Sequence, residues 1–437
     1  MDNRDMKSVS TKQLSIAHTA KKYPQEALTV LHPYMDVHWL WEASLRVRKN
    51  SAVGVDNQSY ADYEQTKQDR LVALLGKAKD GSYRAPPVKR VYIPKDDGEK
   101  RGIGIPTIED KILQRAVVML LEPIYEQSFH DFSFGFRPRK SAHQAVQYLR
   151  EQCFKQDVSY ILDVDLRQYF DTIDHGHLRE ILSQRVGDGV IRRLINKWLK
   201  AGVWEEGTVH YPEAGSPQGG VISPLLSNIY LHTVLDDWFV KDIQPHLKGK
   251  SFMVRFADDF VMGFANKSDA ESMLEALKAR FAAYGLQVHP QKTQLVQFKR
   301  PQRDPNDNGP KPGTFDFLGF THYWGKSQQG NQVFKSKTSR KRVRRTLKNI
   351  KEWGLKNRHL TLKEQQEEIN SKLQGHYSYY GISNNSASLG QVFHVVKHLW
   401  RKWLGRRNRD GPMNWQRFNQ LLVNYPLIAP RIVHRYS

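Results

Sequence analysis

Phe252-Met253-Val254-Arg255-Phe256-Ala257-Asp258-Asp259-Phe260-Val261-Met262-Gly263-Phe264 constrains this chain more than any other stretch. An apolar run meets two adjacent acids, and an apolar run resumes. Runs rich in Val and Phe on both sides of a two-residue polar break spell a β-hairpin with Asp258 and Asp259 at its tip. Two neighbouring carboxylates on a rigid turn offer hard oxygen donors of the kind Mg²⁺ takes, with room left for water and substrate phosphates. A third carboxylate from elsewhere in the chain completes a two-metal site for in-line attack on a phosphate. Taken alone, Asp-Asp is also ordinary turn chemistry on a wet surface. The remainder of the chain has to decide between the two.

A third carboxylate is available at Asp165. It follows the apolar strand Tyr160-Ile161-Leu162 within Asp163-Val164-Asp165-Leu166-Arg167-Gln168-Tyr169-Phe170-Asp171. The end of a buried strand holds a metal ligand well. Asp165 could equally cap the helix that follows, and Asp163 and Asp171 compete with it for the role.

Charge points to the partner. Lys and Arg number 67 against 45 Asp and Glu, a net charge of +22. A soluble protein this basic usually meets a polyanion, and nucleic acid is the default. The excess is uneven: Lys335 to Ser437 holds 22 Lys and Arg against 5 Asp and Glu, a balance of +17. The polyanion should therefore lie against the last quarter of the chain. Cys153 is the only cysteine, which excludes an internal disulfide and a Cys-based zinc site and suits a reducing compartment. The polar start Met1-Asp2-Asn3-Arg4-Asp5 carries no apolar h-region. No apolar run approaches the roughly 20 residues of a membrane helix. These features lead us to expect a soluble, intracellular protein without membrane contact.

With 437 residues the chain can form two or three packed domains. Residues 1 to about 75 read as helical. Tyr83 to Pro106 reads as a β-hairpin around the charged loop Pro94-Lys95-Asp96-Asp97-Gly98. Glu109 to Tyr125 has helical apolar spacing at Ile112, Leu113, Ala116, Val117, Leu120 and Leu121. A buried strand covers Tyr160–Val164, helices cover roughly Gly176 to Ala201 and Val221 to Val240, and a further helix runs near Ser268 to Tyr284. Short strands are expected near Leu286 and Phe315. Alternating strands and helices make the middle α/β with a mixed or antiparallel sheet. The Pro-rich Arg300 to Gly313 reads as a loop, residues beyond Lys335 as basic helices to about Arg409, and Pro412 to Ser437 as irregular. Two short patterns are decoys. Trp324-Gly325-Lys326-Ser327 cannot be a Walker A loop, because Phe320 stands where its first glycine must be. His394 and His398 have i,i+4 spacing, but no acid accompanies them, and they read as helix-face histidines.

The ordered motifs carry more than any one of them. Asp165 with Phe170-Asp171, then Gly215-Ser216-Pro217-Gln218-Gly219-Gly220-Val221-Ile222-Ser223-Pro224-Leu225-Leu226-Ser227-Asn228, then Phe256-Ala257-Asp258-Asp259, then Gly285-Leu286 through Lys292-Thr293, then Phe317-Leu318-Gly319-Phe320 together resemble the motif series of reverse transcriptases. The series looks most like that of bacterial group II intron-encoded reverse transcriptase/maturase proteins. Pro94-Lys95, Arg101-Gly102-Ile103-Gly104-Ile105-Pro106-Thr107 and Ser133-Phe134-Gly135-Phe136-Arg137-Pro138 match that family's upstream motifs, so the resemblance covers nearly the whole chain.

The resemblance implies a right-hand polymerase: a helical N-terminal extension (1–75), fingers and palm (76–322), a basic helical thumb/maturase domain (323–411) and a tail (412–437). It implies that Asp165, Asp258 and Asp259 hold two Mg²⁺ ions, with Mn²⁺ as a possible substitute. Those metals would activate a primer 3′-hydroxyl and neutralise the leaving pyrophosphate. Phe170 matches the bulky gate against a ribose 2′-hydroxyl. Gln218 and Gly219 match the loop that packs on the incoming dNTP, and Lys95 and Arg101 match fingers cations that grip its triphosphate. Lys292 matches a position proposed to protonate pyrophosphate. Phe317, Leu318 and Gly319 match the primer grip. In the basic region Arg340, Lys341, Arg342, Arg344 and Arg345 would contact RNA, and Tyr377, Tyr379, Tyr380, Trp400 and Trp403 could stack on bases or pack the helix core.

The implied partners are an RNA template and the intron RNA, a DNA primer or target, and dNTPs, in a bacterial cytoplasm and at the nucleoid when acting on DNA. Two departures stand out. Phe256 replaces the tyrosine of the usual Tyr-Ala-Asp-Asp, which removes one hydroxyl and leaves activity expected. The C-terminal zinc-bearing endonuclease of many relatives is expected to be absent, so that a cDNA primer has to come from elsewhere, for instance a nascent strand at a replication fork. Three alternatives stay open: a maturase that binds RNA without polymerising, a domesticated reverse transcriptase in repair or phage defence, and an RNA polymerase, which Phe170 opposes. Oligomeric state is not set by the sequence.

Overall fold

The structure is a computed structural model describing residues 3–94, 100–211, 214–215, 219–301, 311–406 and 412–436, with side chains from Ser8 onward. Among them run strands β1 (Val88–Pro94), β2 (Lys100–Ile105), β3 (Tyr160–Val164), β4 (Val203–Glu205), β5 (Thr208–His210), β6 (Ser251–Phe256), β7 (Asp259–Phe264), β8 (Gln294–Gln297), β9 (Phe315–Phe317), β10 (Phe320–Lys326) and β11 (Gln332–Thr338). They form three separate sheets joined by helices, a mixed α/β architecture.

Helix Ile108–Tyr125 is the spine of the first half. Thr107 caps it, its side-chain oxygen accepting from the Asp110 N–H at 3.3 Å. Ile112, Leu113, Ala116, Val117, Leu120 and Leu121 are all fully buried. Helices Asn3–Lys22 and Val37–Leu45 pack against it. Trp39 is fully buried there, and its Nε1–H donates to Ala116 O at 2.9 Å. A separate sheet has the strand order β2-β1-β4-β5, with β1 antiparallel to β2 and parallel to β4.

The sheet β6-β7-β3-β8 is antiparallel at every junction. Alternation sorts its side chains between two cores. Leu162, Val164, Met253, Phe260, Met262 and Phe264 join the large core with Leu277 and Phe281 of helix Lys267–Ala283. Ile161, Phe252, Val254 and Val261 face a second core with Ala145, Leu149 and Cys153 of helix Ala142–Lys155. That second helix was not anticipated from the sequence. Strands buried on both faces explain why β6 and β7 read as near-continuous apolar runs.

The meander β9-β10-β11 leads into the C-terminal helices Arg340–Asn357, Leu362–Tyr380 and Ser386–Gly405. Tyr377, Trp400 and Trp403 lie in the core these helices share, so packing explains them; Tyr379 and Tyr380 pack beside Phe320. Three local expectations are corrected. Near Leu286 there is no strand, only the single bridge Leu166↔Val288; the strand itself, β8, begins at Gln294, where β3 offers a free edge to pair with. Lys335 to Thr338 is extended, because it completes β11 against β10. The tail contains helix Trp415–Asn424, whose one buried residue, Phe418, docks into the C-terminal core. Among the described residues no helix is long and apolar enough to cross a membrane.

Candidate active site

Strand register brings the three acids together. Phe256 pairs with Asp259 across the hairpin, so its two-residue turn is Ala257-Asp258, and Asp259 opens β7. The tip is thus one residue earlier than the sequence reading placed it. Ala257 takes a left-handed φ of 59°, as the first position of such tight turns demands. On the other side β7 pairs with β3, and Val164 opposes Phe260. The residue after Val164, Asp165, therefore stands level with Asp259 at the same end of the sheet. Asp171, the other rival, begins no such pairing: its N–H bonds to Gln168 O within a short helix.

Asp165 is held by its backbone. Its N–H donates to Thr293 Oγ1 at 3.3 Å, and its carbonyl accepts from the His289 N–H at 2.8 Å. Lys292 is exposed in the turn next to Thr293, one residue from that anchor. Asp163 sits two residues back on the same face of β3 and accepts from Gln294 Nε2 at 3.1 Å.

These carboxylates crowd one another. Desolvation by the surrounding protein, joined by the charges of Asp163, Asp258 and Asp165, pushes Asp259 up to about 8, even though water reaches its carboxylate. Asp258 is also raised, by desolvation and by Asp165, against the opposing pull of Arg101 and Arg255. Burial, then Asp165 and Asp316, raise Asp163 to about 6. Hard oxygen donors that repel one another at a solvent-open sheet end are a fitting donor set for a divalent cation, which relieves the repulsion.

The other expected residues arrange around this cluster. Arg101, exposed on β2, is close enough to Asp258 to lower its pKa. Phe170 is half-buried against the large core and meets Tyr169 edge-on at 5.3 Å. Tyr169 fixes that turn, donating from its hydroxyl to Ser227 O at 2.8 Å. Gly219 has a φ of 109°, and a Cβ there would meet Gly104 O of β2 at 2.5 Å, so only glycine lets this loop touch the hairpin. Lys95 and Gln218 lie outside the described residues. Phe317 ends β9, and Leu318 and Gly319 form its turn into β10 with φ of 52° and 80°. The Leu318 backbone lies close enough to Asp259 to hold its pKa down, and Leu318 O accepts from the Tyr379 hydroxyl at 2.9 Å. That turn thus links the acids to the C-terminal helices.

Arg340, Lys341, Arg344 and Arg345 are exposed on helix Arg340–Asn357, while Val343, Leu347 and Ile350 turn inward. Arg342 is half-buried, its Cγ 3.4 Å from where a Cβ on Gly319 would stand. The basic face therefore begins beside the Leu318-Gly319 turn.

Sequence reading missed the scaffold under the acids. Arg255, fully buried, donates to both oxygens of the fully buried Asp236, at 2.8 and 2.5 Å. It also donates to Asn228 Oδ1 at 2.9 Å and to Ala257 O at 3.0 Å. Asn228 in turn donates to Gly135 O at 2.6 Å. Segment 132–134 adds to the edge of β6, the Arg255 N–H bonding Phe132 O at 2.9 Å and the Phe134 N–H bonding Arg255 O at 2.8 Å. A Cβ on Gly135 would lie 2.2 Å from Ala257 N. The signal was present: one arginine inside an otherwise apolar strand must be paired.

A sheet end bearing three acids, faced by a hairpin cation and flanked by a basic helical domain, defines a right-hand polymerase. The family model for reverse transcriptase (RNA-dependent DNA polymerase) matches residues 93–322, more than half of the chain. The chain belongs to this family. The model for the group II intron maturase-specific domain matches residues 343–421. Similar proteins include Protein YkfC of Escherichia coli, 38% identical over 200 residues that make up 44% of this chain and 52% of that protein. The group II intron-encoded protein LtrA of Lactococcus lactis is 35% identical over 234 residues, 52% of this chain and 38% of that one. Nuclear intron maturase 2 of Arabidopsis thaliana is 31% identical over 175 residues, 31% of this chain and 24% of that one. The chain spans about half the length of the first of these relatives and less of the others.

Proposed function

We propose that this protein is an RNA-directed DNA polymerase of the group II intron type, and that it also assists the splicing and mobility of an intron RNA. The observation that carries the polymerase reading is the level placement of Asp165 and Asp259, with Asp258 in the adjoining turn. In this reading the three carboxylates hold two Mg²⁺ ions, or Mn²⁺ in their place. When bound, the ions supply charge neutralisation at the phosphate and a more acidic primer 3′-hydroxyl.

Arg101 then binds the triphosphate of the dNTP from the hairpin, together with Lys95. Gln218 and Gly219 pack on the nucleotide, and Phe170 excludes a 2′-hydroxyl. Lys292 protonates the leaving pyrophosphate. Phe317, Leu318 and Gly319 position the primer end, which suits a turn that stands beside Asp259. Arg340, Lys341, Arg342, Arg344 and Arg345 carry RNA phosphates. The domain reading that accompanies these roles has a helical extension (1–75), fingers and palm (76–322), thumb/maturase (323–411) and tail (412–437); its 322/323 division falls inside β10. The setting is a bacterial cytoplasm, and the nucleoid when DNA is the target.

Primer extension on a poly(rA) template with oligo(dT), dTTP and Mg²⁺ tests the reading, comparing the protein with its Asp258→Ala/Asp259→Ala variant. Extension by the unaltered protein alone supports it. No extension by either, with tight RNA binding retained, replaces it with an RNA-binding maturase that does not polymerise.

A further inference from the structure

A second group of metal-ligand atoms lies outside the Asp165, Asp258 and Asp259 set. His130, His232 and Asp237 offer ligand atoms that all fall within 4.8 Å of one another. His130 Nε2 is 2.8 Å from Asp237 Oδ1, and His232 Nε2 is 3.8 Å from the same oxygen. Zn²⁺ held tetrahedrally at 2.0–2.1 Å from each ligand sets them roughly 3.3 Å apart, a value these two distances bracket. His232 is only 7% exposed, and its Nδ1 has no hydrogen-bond partner among the described residues. That nitrogen faces Asp236 Oδ2 at 3.9 Å. An Nδ1–H turned toward that carboxylate leaves the other nitrogen, Nε2, with its lone pair free for a metal.

The backbone is unusual at this place too. His232–Asp237 is a π-helical turn, a form that clusters at functional sites. Its effect is to set His232, Asp236 and Asp237 around one point. The remaining charges do not block the position: Lys241 holds the far oxygen, Asp237 Oδ2, at 2.6 Å, and Asp236 is neutralised by Arg255. Among the three ligand residues Arg137 touches His130, at its backbone carbonyl, at 2.7 Å.

We propose that His130 Nε2, His232 Nε2 and Asp237 Oδ1 form a Zn²⁺ site. Two imidazoles, one carboxylate and a water make a common zinc donor set. Binding displaces the proton shared between His130 and Asp237 to solvent. The ion ties the segment after helix Ile108–Tyr125 to the π-turn. The same turn carries Asp236, which grips Arg255 beneath Ala257, so the site braces the floor of the catalytic turn.

The test uses the full chain carrying Asp258→Ala/Asp259→Ala, which removes two of the active-site acids as competing ligands. Titration with Co²⁺ as a spectroscopic stand-in should give one ion per chain with strong tetrahedral d–d absorption, displaced by one equivalent of Zn²⁺. His130→Asn and Asp237→Asn, each at a half-buried position and each checked by far-UV circular dichroism, should weaken Zn²⁺ binding by more than about 100-fold, beyond the loss typical of a supporting residue. His394→Ala/His398→Ala should change nothing. Absence of tetrahedral cobalt absorption overturns the proposal. So does binding that survives both His130→Asn and Asp237→Asn, or that disappears with the His394/His398 pair.

Discussion

Arg255 and Asp236 form a fully buried two-pronged ion pair, 2.8 and 2.5 Å long, directly behind the turn that carries Asp258. The guanidinium also holds the carbonyl of Ala257, so pair and turn are one unit. Breaking such a pair from one side strands a buried charge and costs about 3–5 kcal/mol. Arg255→Met should therefore show that loss in urea denaturation. Arg255→Met/Asp236→Leu should recover part of it, since no charge is stranded. Neither variant should extend a primer normally, because the Ala257 carbonyl has lost its donor in both. Normal extension by the double variant would show that the turn stands without this support.

Gly135 tests the same turn from its other side. Gly135→Ala places a Cβ 2.2 Å from Ala257 N, too close for either backbone to remain in place. The expected result is a stability loss of about 1–3 kcal/mol, primer extension reduced well beyond that, and RNA binding unchanged. Equal loss of both activities would indicate global unfolding instead.

Phe170→Ala should relax discrimination against ribonucleotides by about tenfold or more, the scale on which one apolar contact in a pocket separates substrates. The measurement is kcat/KM for a dNTP against the matching rNTP. An unchanged ratio refutes the gate role and leaves Phe170 as core packing, consistent with its contact to Tyr169.

Lys341, Arg344, Arg345 and Lys348 share one exposed helical face. If all four meet phosphates of single-stranded RNA, changing them to Gln should flatten the plot of log K against log salt by on the order of 3. Filter binding across a salt series measures the slope. A variant that weakens binding without altering it would place the RNA elsewhere.

Two buried histidines make stability depend on pH. Burial lowers His322 to about 3 and His376 to about 4. The unfolded chain takes up their protons near pH 6.5, while the folded chain does not until far lower. Their contribution is thus complete above about pH 6.5 and is lost as pH falls. Asp110 and Asp259, both pushed up to about 8 chiefly by desolvation, act with the opposite sign, so the informative comparison is between variants. Relative to His322→Phe, the unaltered protein should lose about 2 kcal/mol between pH 7 and pH 5, from about 1.4 kcal/mol per pH unit below 6.5. Parallel denaturation curves for the two proteins would mean that His322 titrates normally.

By itself the sequence determined the elements whose signals are local. Apolar runs placed β3 and the β6–β7 hairpin, and helical spacing placed helix Ile108–Tyr125. Charge counting placed the basic helix, and motif order identified the candidate acids. Only the tertiary structure decided what depends on pairing between distant segments. Asp165 is opposite Asp259 because β3 pairs with β7 in one register, and a slip of one residue would turn every side chain of β3 to the wrong core. The same holds for the Leu318 backbone beside Asp259, the Asp236 beneath Arg255 and the helix Trp415–Asn424, which gains a core only when Phe418 meets Trp400 at 5.7 Å. Such contacts join residues far apart in the chain, and no periodicity or propensity within a short window records them.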